Sequence, residues 1–329
     1  MNRRRFGRTN IGISELTLGG GFVGGLLLHA PDEMKQDCID TCLKAGMNWL
    51  DTAADYGNGE SEIAIGQLVG ALPAAQRPHI STKVRLDTAR RDNFPDQIRT
   101  SIEGSLERLG ADRVDLLMLH NPLMPVPDRA TLTLDEALGV MDCFDQLREE
   151  GLCDHTGFTA LGDGPTVCAA VASGRFDAAQ VYYNMLNPTA GFAPGGGTHA
   201  GWSSSDFTGL LDACRAHDVG VMNIRIFAAG VLAADDRHGR EIPVTANAGM
   251  AAEEARAQAV QAGLGARSET RAQTAVRFGL AHPAVSTVVL GVAEMAHVHQ
   301  ALAAAGLGPL EEEARAALRR VWASGTFTV

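Results

Sequence analysis

The sequence lacks an uninterrupted apolar run long enough to cross a bilayer, so it predicts no transmembrane helix. Its N-terminus, MNRRRFGRTN, is basic, but the apolar segment of a signal peptide does not follow it. Positive charge is not in excess either, because 28 basic residues stand against 39 acidic ones and the formal net charge is −11. These absences argue against a membrane protein, a secreted protein and a general nucleic-acid binder, and we expect a cytoplasmic protein.

Six cysteines are present, but none forms a CxxC pair, and they are spread through apolar-rich segments. This distribution is typical of reduced, buried thiols. Cys38 and Cys42 lie one helical turn apart and could share a metal ion, yet no nearby His or Cys completes such a site. The sequence therefore predicts no metal site.

Short apolar runs alternate with helical patterns along the chain. The runs are apolar almost throughout, which is typical of parallel strands that are buried on both faces. Several helical patterns end in glycine, as helix C-termini often do. The predicted strands are 17–20, 48–52, 79–84, 114–120, 153–160, 178–183, 219–225 and 285–291, and helices between them include 31–46, 94–110, 133–151 and 203–217.

Eight strand–helix units in one chain favour an α/β fold of the (β/α)8 TIM barrel type over a doubly wound sheet. A Rossmann motif is lacking, because LGGGFVGG is glycine-rich without the strand–turn–helix context of GxGxxG. No linker divides the chain, so we expect residues 1–329 to form a single barrel domain. The insertions 187–201 and 228–266 predict long loops after strands six and seven, where function often lies.

Four polar side chains fall at the ends of three consecutive predicted strands. Asp51 lies at the end of strand two, in NWLDTAADYGNGESE, and Tyr56 follows in the next turn. Lys83 lies near the end of strand three, and His120 closes strand four. Because the C-terminal ends of neighbouring barrel strands meet at one rim, we expect these four side chains to converge.

Each of the four also has an ordinary structural interpretation, such as a turn cap, an edge residue, a hydrogen-bonded core histidine or a half-buried tyrosine. A lysine inside a barrel strand needs a counter-charge, however, and Asp51 supplies it. We expect the ammonium of Lys83 to lower the pKa of the Tyr56 phenol from about 10 toward neutrality. With a histidine to polarise a carbonyl oxygen, the set suits hydride transfer coupled to proton transfer at that oxygen.

In order and strand position, these residues resemble the catalytic tetrad of the aldo-keto reductases. DTAADYGNGESEIAIGQLV is similar to that family's signature, and FGRTNIGISELTLGG to its N-terminal hairpin and first strand. The resemblance implies a (β/α)8 barrel that binds a nicotinamide cofactor without a Rossmann domain. It implies Tyr56 as the general acid/base. It also implies Lys83 and Asp51 as the pair that tunes the phenol, and His120 as the residue that orients the substrate oxygen.

The same resemblance implies contacts to the nicotinamide amide from Thr159 and Gln180, at the ends of strands five and six. The family usually has Ser-Asn where this chain has Thr159-Ala160, so the hydroxyl is kept and the amide is lost. Strand seven continues as NIRIFAAGVL in place of a Tyr-Ser-Pro-Leu-like stretch. Arg225 and Phe227 are its new features, and Phe227 could equally pack in the core. This variant resembles the NAD-linked aldose dehydrogenase branch, the galactose- and fucose-type enzymes.

The segment after strand eight, LGVAEMAHVHQAL, contains no lysine or arginine. NADPH-binding members of the resembled family place such side chains on the 2′-phosphate. Here backbone amides from Gly291 onward could cap a phosphate, Glu294 stands where it could meet the adenosine ribose, and His297 replaces the usual arginine. The pattern favours NAD over NADP, unless Arg237 or Arg240 from the excursion after strand seven supplies the missing charge.

Three functions remain open on this sequence. The first is an NAD-dependent dehydrogenase acting on an aldose or a similar hydroxyl substrate. The second is an NADPH-dependent aldehyde or ketone reductase on the same fold, and the third is a non-enzymatic subunit that senses the cofactor. The intact set of four polar residues argues against the third. The partner in either enzymatic case is a small sugar or carbonyl compound, and the specific substrate, the reaction direction and the oligomeric state are not encoded in any motif.

Overall fold

The computed structural model describes residues 1–194, 202, 205–236, 239–245 and 248–324. An antiparallel hairpin of β1 (Arg3–Arg5) and β2 (Gly12–Ser14) precedes eight parallel strands that close into a barrel. The barrel strands are β3 (Leu16–Gly19), β4 (Trp49–Asp51), β5 (His79–Val84), β6 (Val114–Leu119), β7 (Cys153–Ala160), β8 (Ala178–Tyr182), β9 (Gly220–Ile224) and β10 (Thr287–Gly291).

The strands follow chain order around the barrel, and β10 pairs with β3 to close it. Each predicted strand overlaps one of these, and 79–84 and 153–160 coincide with β5 and β7. The (β/α)8 fold and its N-terminal hairpin are therefore confirmed. No helix in the described ranges is both long and apolar enough to cross a bilayer.

Helices connect the strands and cover the outside of the barrel. Local chemistry sets their ends: Thr133 and Glu136 form a reciprocal capping box before one helix, and Gly110 ends another in the left-handed region with φ +59°. The helices are α1 (Leu26–His29), α2 (Asp32–Lys44), α3 (Glu60–Gly70), α4 (Phe94–Leu109), α5 (Leu134–Glu149), α6 (Gly164–Ala172), α7 (Leu210–Ala216), α8 (Met250–Leu264), α9 (Arg271–Leu280), α10 (Met295–Leu307) and α11 (Glu312–Ala323).

Two sequence-based expectations, one about a helix and one about an insertion, need correction. The helix predicted at 203–217 begins only at Leu210, because Asp206 accepts hydrogen bonds from the backbone and hydroxyl of Thr208 and forms a local turn there. The excursion at 228–266 is not a loop throughout, because it contains the 15-residue helix α8. In the insertion at 187–201, the part from 195 onward lies outside the described residues.

The N-terminal end of the barrel is filled by the hairpin. Phe6 is fully buried and packs edge-on against Trp49, with ring centroids 5.3 Å apart. Gly220 makes this possible, because a Cβ there would lie 2.4 Å from the Phe6 ring. Since one end of the barrel is plugged by apolar side chains, the other end, where the strands terminate, is left for a site.

Candidate active site

A cavity of about 510 Å³ opens at the C-terminal ends of the barrel strands. Its walls come from several strand ends and from the loops that follow them. Nine of the eleven residues that the sequence singles out line it, and the other two, Lys83 and Glu294, do not. The nine are Asp51, Tyr56, His120, Thr159, Gln180, Arg225, Phe227, Gly291 and His297.

The expected ion pair inside the barrel is confirmed. The ammonium of Lys83 donates hydrogen bonds to Asp51 Oδ2 at 2.7 Å and to the backbone oxygen of Thr52 at 2.6 Å. The Lys83 side chain is 0% exposed, which is why it lies beneath the cavity wall and not in it. Burial by itself lowers the pKa of Lys83, but Asp51 and Tyr56 raise it above the usual value, so the amine is held in its charged form.

Asp51 is fixed by two further donors: Ser81, which the sequence did not reveal, and Gln180, for which the sequence predicted only a contact with the nicotinamide. Ser81 Oγ and Gln180 Nε2 each donate to Asp51 Oδ1 at 2.7 Å, while the indole of Trp49 donates to Ser81 Oγ at 3.0 Å. Ser81 lies two residues before Lys83 on the same strand, and alternate residues of a strand share a face. That spacing is the signal that could have identified it.

The phenol of Tyr56 lies close to the ion pair, with Lys83 Nζ 4.9 Å from its ring centroid. Lys83 does lower the pKa of Tyr56, as expected, but the expected net shift of this pKa toward neutrality is wrong. Burial raises the pKa of Tyr56 above 10, Lys83 offsets only part of this, and Asp51 and Asp55 raise it further. The phenol therefore keeps its proton at neutral pH and is suited to donate it.

His120 sits beside Tyr56, with ring centroids 5.7 Å apart in an edge-on arrangement. Its Nδ1 lies 3.2 Å from Asp55 Oδ1, and Asp55 Oδ2 accepts a hydrogen bond of 2.6 Å from Arg85 Nε. Burial lowers the pKa of His120 below its usual value, although Asp55 raises it. Asp55 and Arg85 both line the cavity, and neither was predicted from the sequence. Asp55 directly precedes Tyr56, and Arg85 stands two residues after Lys83.

The residues present fit a nicotinamide carboxamide. Thr159 and Gln180 are paired across β7 and β8, both are 2% exposed, and both line the cavity. Thr159 Oγ1 is buried and has no hydrogen-bond partner among the described residues. A buried hydroxyl without a partner, next to the buried amide of Gln180, could form hydrogen bonds with a bound carboxamide group.

The segment after β9 has an unusual backbone. Arg225, Ala228 and Ala229 have φ of +58°, +46° and +53°, a region that non-glycine residues rarely adopt. Strained backbone of this kind concentrates at functional sites. The guanidinium of Arg225 lies 5.1 Å from the centroid of the Tyr182 ring, while Phe227 both lines the cavity and packs against the core. Phe227 therefore packs against the core as its ordinary interpretation predicts, while its contact with the cofactor stays a prediction.

At the start of α10, Gly291 and His297 line the cavity. His297 Nδ1 accepts a hydrogen bond of 3.2 Å from the backbone of Ala293, and its Nε2 lies 3.4 Å from Glu294 Oε1. The Glu294 side chain is 54% exposed and is not part of the cavity wall. Of the two arginines that could supply positive charge, Arg240 donates to the backbone oxygen of Gly24, and Arg237 lies outside the described residues.

A closed eight-stranded barrel with a phenol, an imidazole and a buried lysine–carboxylate pair at its C-terminal rim defines the class of protein. The family model described as "Aldo/keto reductase family" matches residues 15–323, and the chain belongs to that family. It is therefore an oxidoreductase that acts on carbonyl or hydroxyl groups with a nicotinamide cofactor.

Two relatives illustrate the breadth of the family. The chain is 30% identical over 204 residues to the NADH-specific methylglyoxal reductase of Escherichia coli (strain K12), an alignment that covers 57% of this chain and 60% of that protein. It is 25% identical over 305 residues to the L-galactose dehydrogenase of Arabidopsis thaliana, covering 92% of this chain and 87% of the relative. The first alignment spans less than two thirds of its relative. The second agrees with the resemblance to aldose dehydrogenases.

Among solved structures, the holo form of an aldo-keto reductase from Bacillus halodurans superimposes with a TM-score of 0.74. The superposition covers 98% of this chain and 96% of that one, at 21% sequence identity. The likeness shows the shared (β/α)8 fold.

Proposed function

We propose that the protein is an NAD-dependent dehydrogenase that oxidises an aldose or a similar hydroxyl substrate. The observation that carries the choice of cofactor is the segment 290–302, in which no lysine or arginine stands to meet a 2′-phosphate. The names of an L-galactose dehydrogenase and of an NADH-specific reductase among the relatives support the substrate class and the cofactor respectively.

In this proposal the nicotinamide cofactor supplies the hydride acceptor or donor when bound. Thr159 and Gln180 hold its carboxamide, and Tyr56 and His120 contact the reacting oxygen of the substrate from the same cavity wall. The phenol of Tyr56 is the acid–base group at that oxygen: in its deprotonated form it takes up the proton that the hydroxyl loses in the oxidation, and in its protonated form it returns that proton in the reduction. The ammonium of Lys83, which Asp51 holds in place, limits how far burial raises the pKa of the Tyr56 phenol.

A second candidate is an NADPH-dependent reductase of aldehydes or ketones. The raised pKa of Tyr56 favours it, because a phenol that keeps its proton is ready to give that proton to a carbonyl oxygen. A panel of aldoses, simple alcohols and aldehydes, each tested with NAD(H) and NADP(H), separates the two functions. The absorbance of the reduced nicotinamide reports turnover in both directions.

Changing Glu294 to Arg is expected to raise kcat/KM with NADP and to leave kcat/KM with NAD nearly unchanged. A 2′-phosphate carries close to two negative charges and gains a charge-assisted donor in the variant, whereas the wild-type carboxylate repels it. One such hydrogen bond contributes about 1.5–3 kcal/mol, which corresponds to roughly tenfold or more in kcat/KM. Steady-state kinetics with both cofactors and one good substrate measure these changes in kcat/KM.

The matched control is Glu313→Arg, which makes the same change of charge at an exposed position on α11 that does not line the cavity. It corrects for the net charge of the protein, which also disfavours a phosphorylated cofactor. A wild-type protein that prefers NADP would contradict the proposed cofactor. If NADP efficiency rises no more in Glu294→Arg than in Glu313→Arg, position 294 does not face the ribose.

A further inference from the structure

Arg225 is a cation of the cavity wall that has no carboxylate partner among the described residues. Its guanidinium lies 5.1 Å from the centroid of the Tyr182 ring and donates one long hydrogen bond of 3.4 Å to the backbone oxygen of Val244. The other arginine of the wall, Arg85, is paired with Asp55. Arg225 lines the cavity, so its remaining N–H donors are free to bind an acceptor that enters it.

The surroundings of this guanidinium make an unpaired charge costly. Its chain neighbours Ile224 and Phe227, as well as Val244, are apolar and line the same cavity. Desolvation in the cavity wall lowers the pKa of Arg225, but an arginine still keeps its charge at neutral pH. Because few polar groups surround this charge, an anion that enters the cavity gains more from it than it would in bulk water.

The backbone determines on which side of the rim the guanidinium lies. Arg225 has a φ of +58°, and Asn184, which follows β8, donates a hydrogen bond of 2.6 Å to its backbone oxygen. The guanidinium rests on the ring of Tyr182, the last residue of β8. Main chain and side chain are therefore both tied to β8. Neither contact is with β10 or α10, where backbone amides from Gly291 onward are expected to cap a phosphate of the cofactor.

The same guanidinium lies within electrostatic reach of the acid–base group. Tyr56 is among the groups that raise the pKa of Arg225, and both residues line the cavity. In the proposed function the reacting oxygen of the substrate contacts Tyr56. An acidic group elsewhere on that substrate can therefore contact Arg225 while the reacting oxygen stays at the phenol.

We propose that Arg225 is a specificity-determining residue that binds a carboxylate of the substrate. The inference rests on the proposed function and narrows its substrate class from aldoses in general to sugars that carry an acidic group, such as uronic acids. The planar fork of a guanidinium matches the two oxygens of a carboxylate, and a neutral hydroxymethyl group does not reproduce this match.

Isothermal titration of the full-length protein, saturated with NAD, tests this role without turnover. D-galacturonate and D-galactose differ at a single carbon, which is a carboxylate in the first and a hydroxymethyl group in the second. We expect the uronate to bind at least about tenfold more tightly, the value of one charge-assisted hydrogen bond. In Arg225→Gln we expect this ratio of affinities to fall to about one. The pair of D-glucuronate and D-glucose repeats the test in a second configuration.

A uronate that binds no more tightly than its aldose in both pairs overturns the proposal, as does a ratio that Arg225→Gln leaves unchanged. Arg215→Gln is the matched control, because it removes the same charge from a side chain that is 66% exposed and does not line the cavity. Its ratio should be that of the wild type. An equal fall in both variants means that the ratio reports only the net charge of the protein, and it rejects the proposal.

The affinity for NAD is titrated in the same proteins. A Kd for NAD that rises in Arg225→Gln, with the uronate ratio unchanged, assigns the guanidinium to the diphosphate of the cofactor and overturns the proposal.

Steady-state kinetics with NAD and the same sugars separates a failure of this inference from a failure of the proposed function. We expect kcat/KM in the wild type to favour the uronate by the factor found in binding, and Arg225→Gln to lose that preference. Tight uronate binding that depends on Arg225, without oxidation of any of the four sugars, means that the proposed dehydrogenase function fails and the anion site stands. Oxidation of both sugars of a pair with equal kcat/KM and equal affinity means that the dehydrogenase stands and the role of Arg225 fails.

Discussion

Tyr56→Phe is expected to lower kcat by about 10²- to 10⁴-fold while the affinity for the cofactor stays nearly unchanged. The substitution keeps the ring that lies beside Lys83 and His120 and removes only the phenolic hydroxyl, which is the group that exchanges a proton with the substrate oxygen. Single-turnover and steady-state kinetics measure the loss, and fluorescence titration of the cofactor measures the binding.

Tyr183→Phe is the matched control, since it removes the same hydroxyl from a tyrosine that stacks on Phe278, with ring centroids 4.7 Å apart, away from the cavity wall. Its kcat should be that of the wild type. A Tyr56→Phe protein with near-wild-type kcat would remove Tyr56 from the acid–base role and leave His120 as the remaining candidate.

The second large effect is on stability. Asp51→Asn is expected to reduce the free energy of unfolding by about 3–5 kcal/mol, because it leaves the buried ammonium of Lys83 without a counter-charge. Asn also has one acceptor oxygen where Asp51 uses two. Its amide N–H must then face either Lys83 or the donors Ser81 and Gln180.

Lys83→Met is expected to cost less than Asp51→Asn. The carboxylate that remains in Lys83→Met keeps the hydrogen bonds from Ser81 and Gln180 and can also take up a proton. In Asp51→Asn the ammonium keeps only neutral acceptors, the oxygen of Thr52 and at most one amide oxygen. Denaturant unfolding of both variants and of the double variant measures these differences. The double variant should be more stable than Asp51→Asn alone, because the unpaired charge is then absent. A Lys83→Met protein less stable than Asp51→Asn would reverse this account.

The convergence of the tetrad could be predicted from the sequence for a simple reason. Asp51, Lys83 and His120 each stand at or near the end of a short apolar run, and parallel strands of a barrel present these ends at one rim. The distance of 2.7 Å between Lys83 Nζ and Asp51 Oδ2 confirms the pairing. The catalytic roles of these residues remain predictions until the variants above are measured.

The contacts of the residues around the tetrad could not be predicted from the sequence in the same way. Ser81, Lys83 and Arg85 follow each other at every second position, so the period of a strand placed them on a common face. Ser81 and Lys83 contact Asp51, whereas Arg85, one residue beyond the end of β5, contacts Asp55, and only the tertiary structure shows this division. The helix within the excursion after β9 was missed because its sequence, MAAEEARAQAVQAGL, shows little separation of apolar and polar faces.

The sequence alone determined the fold, the order of the chemical groups around the rim and the absence of basic side chains after the last strand. All three features follow from local sequence patterns, each of which lies within a single segment of the chain. Only the tertiary structure decided the direction in which the pKa of Tyr56 moves and the placement of Asp55 against His120. The expectation for Tyr56 considered one neighbouring charge, and it was wrong because desolvation sums over every atom packed around the phenol, a quantity that exists only once the chain has folded.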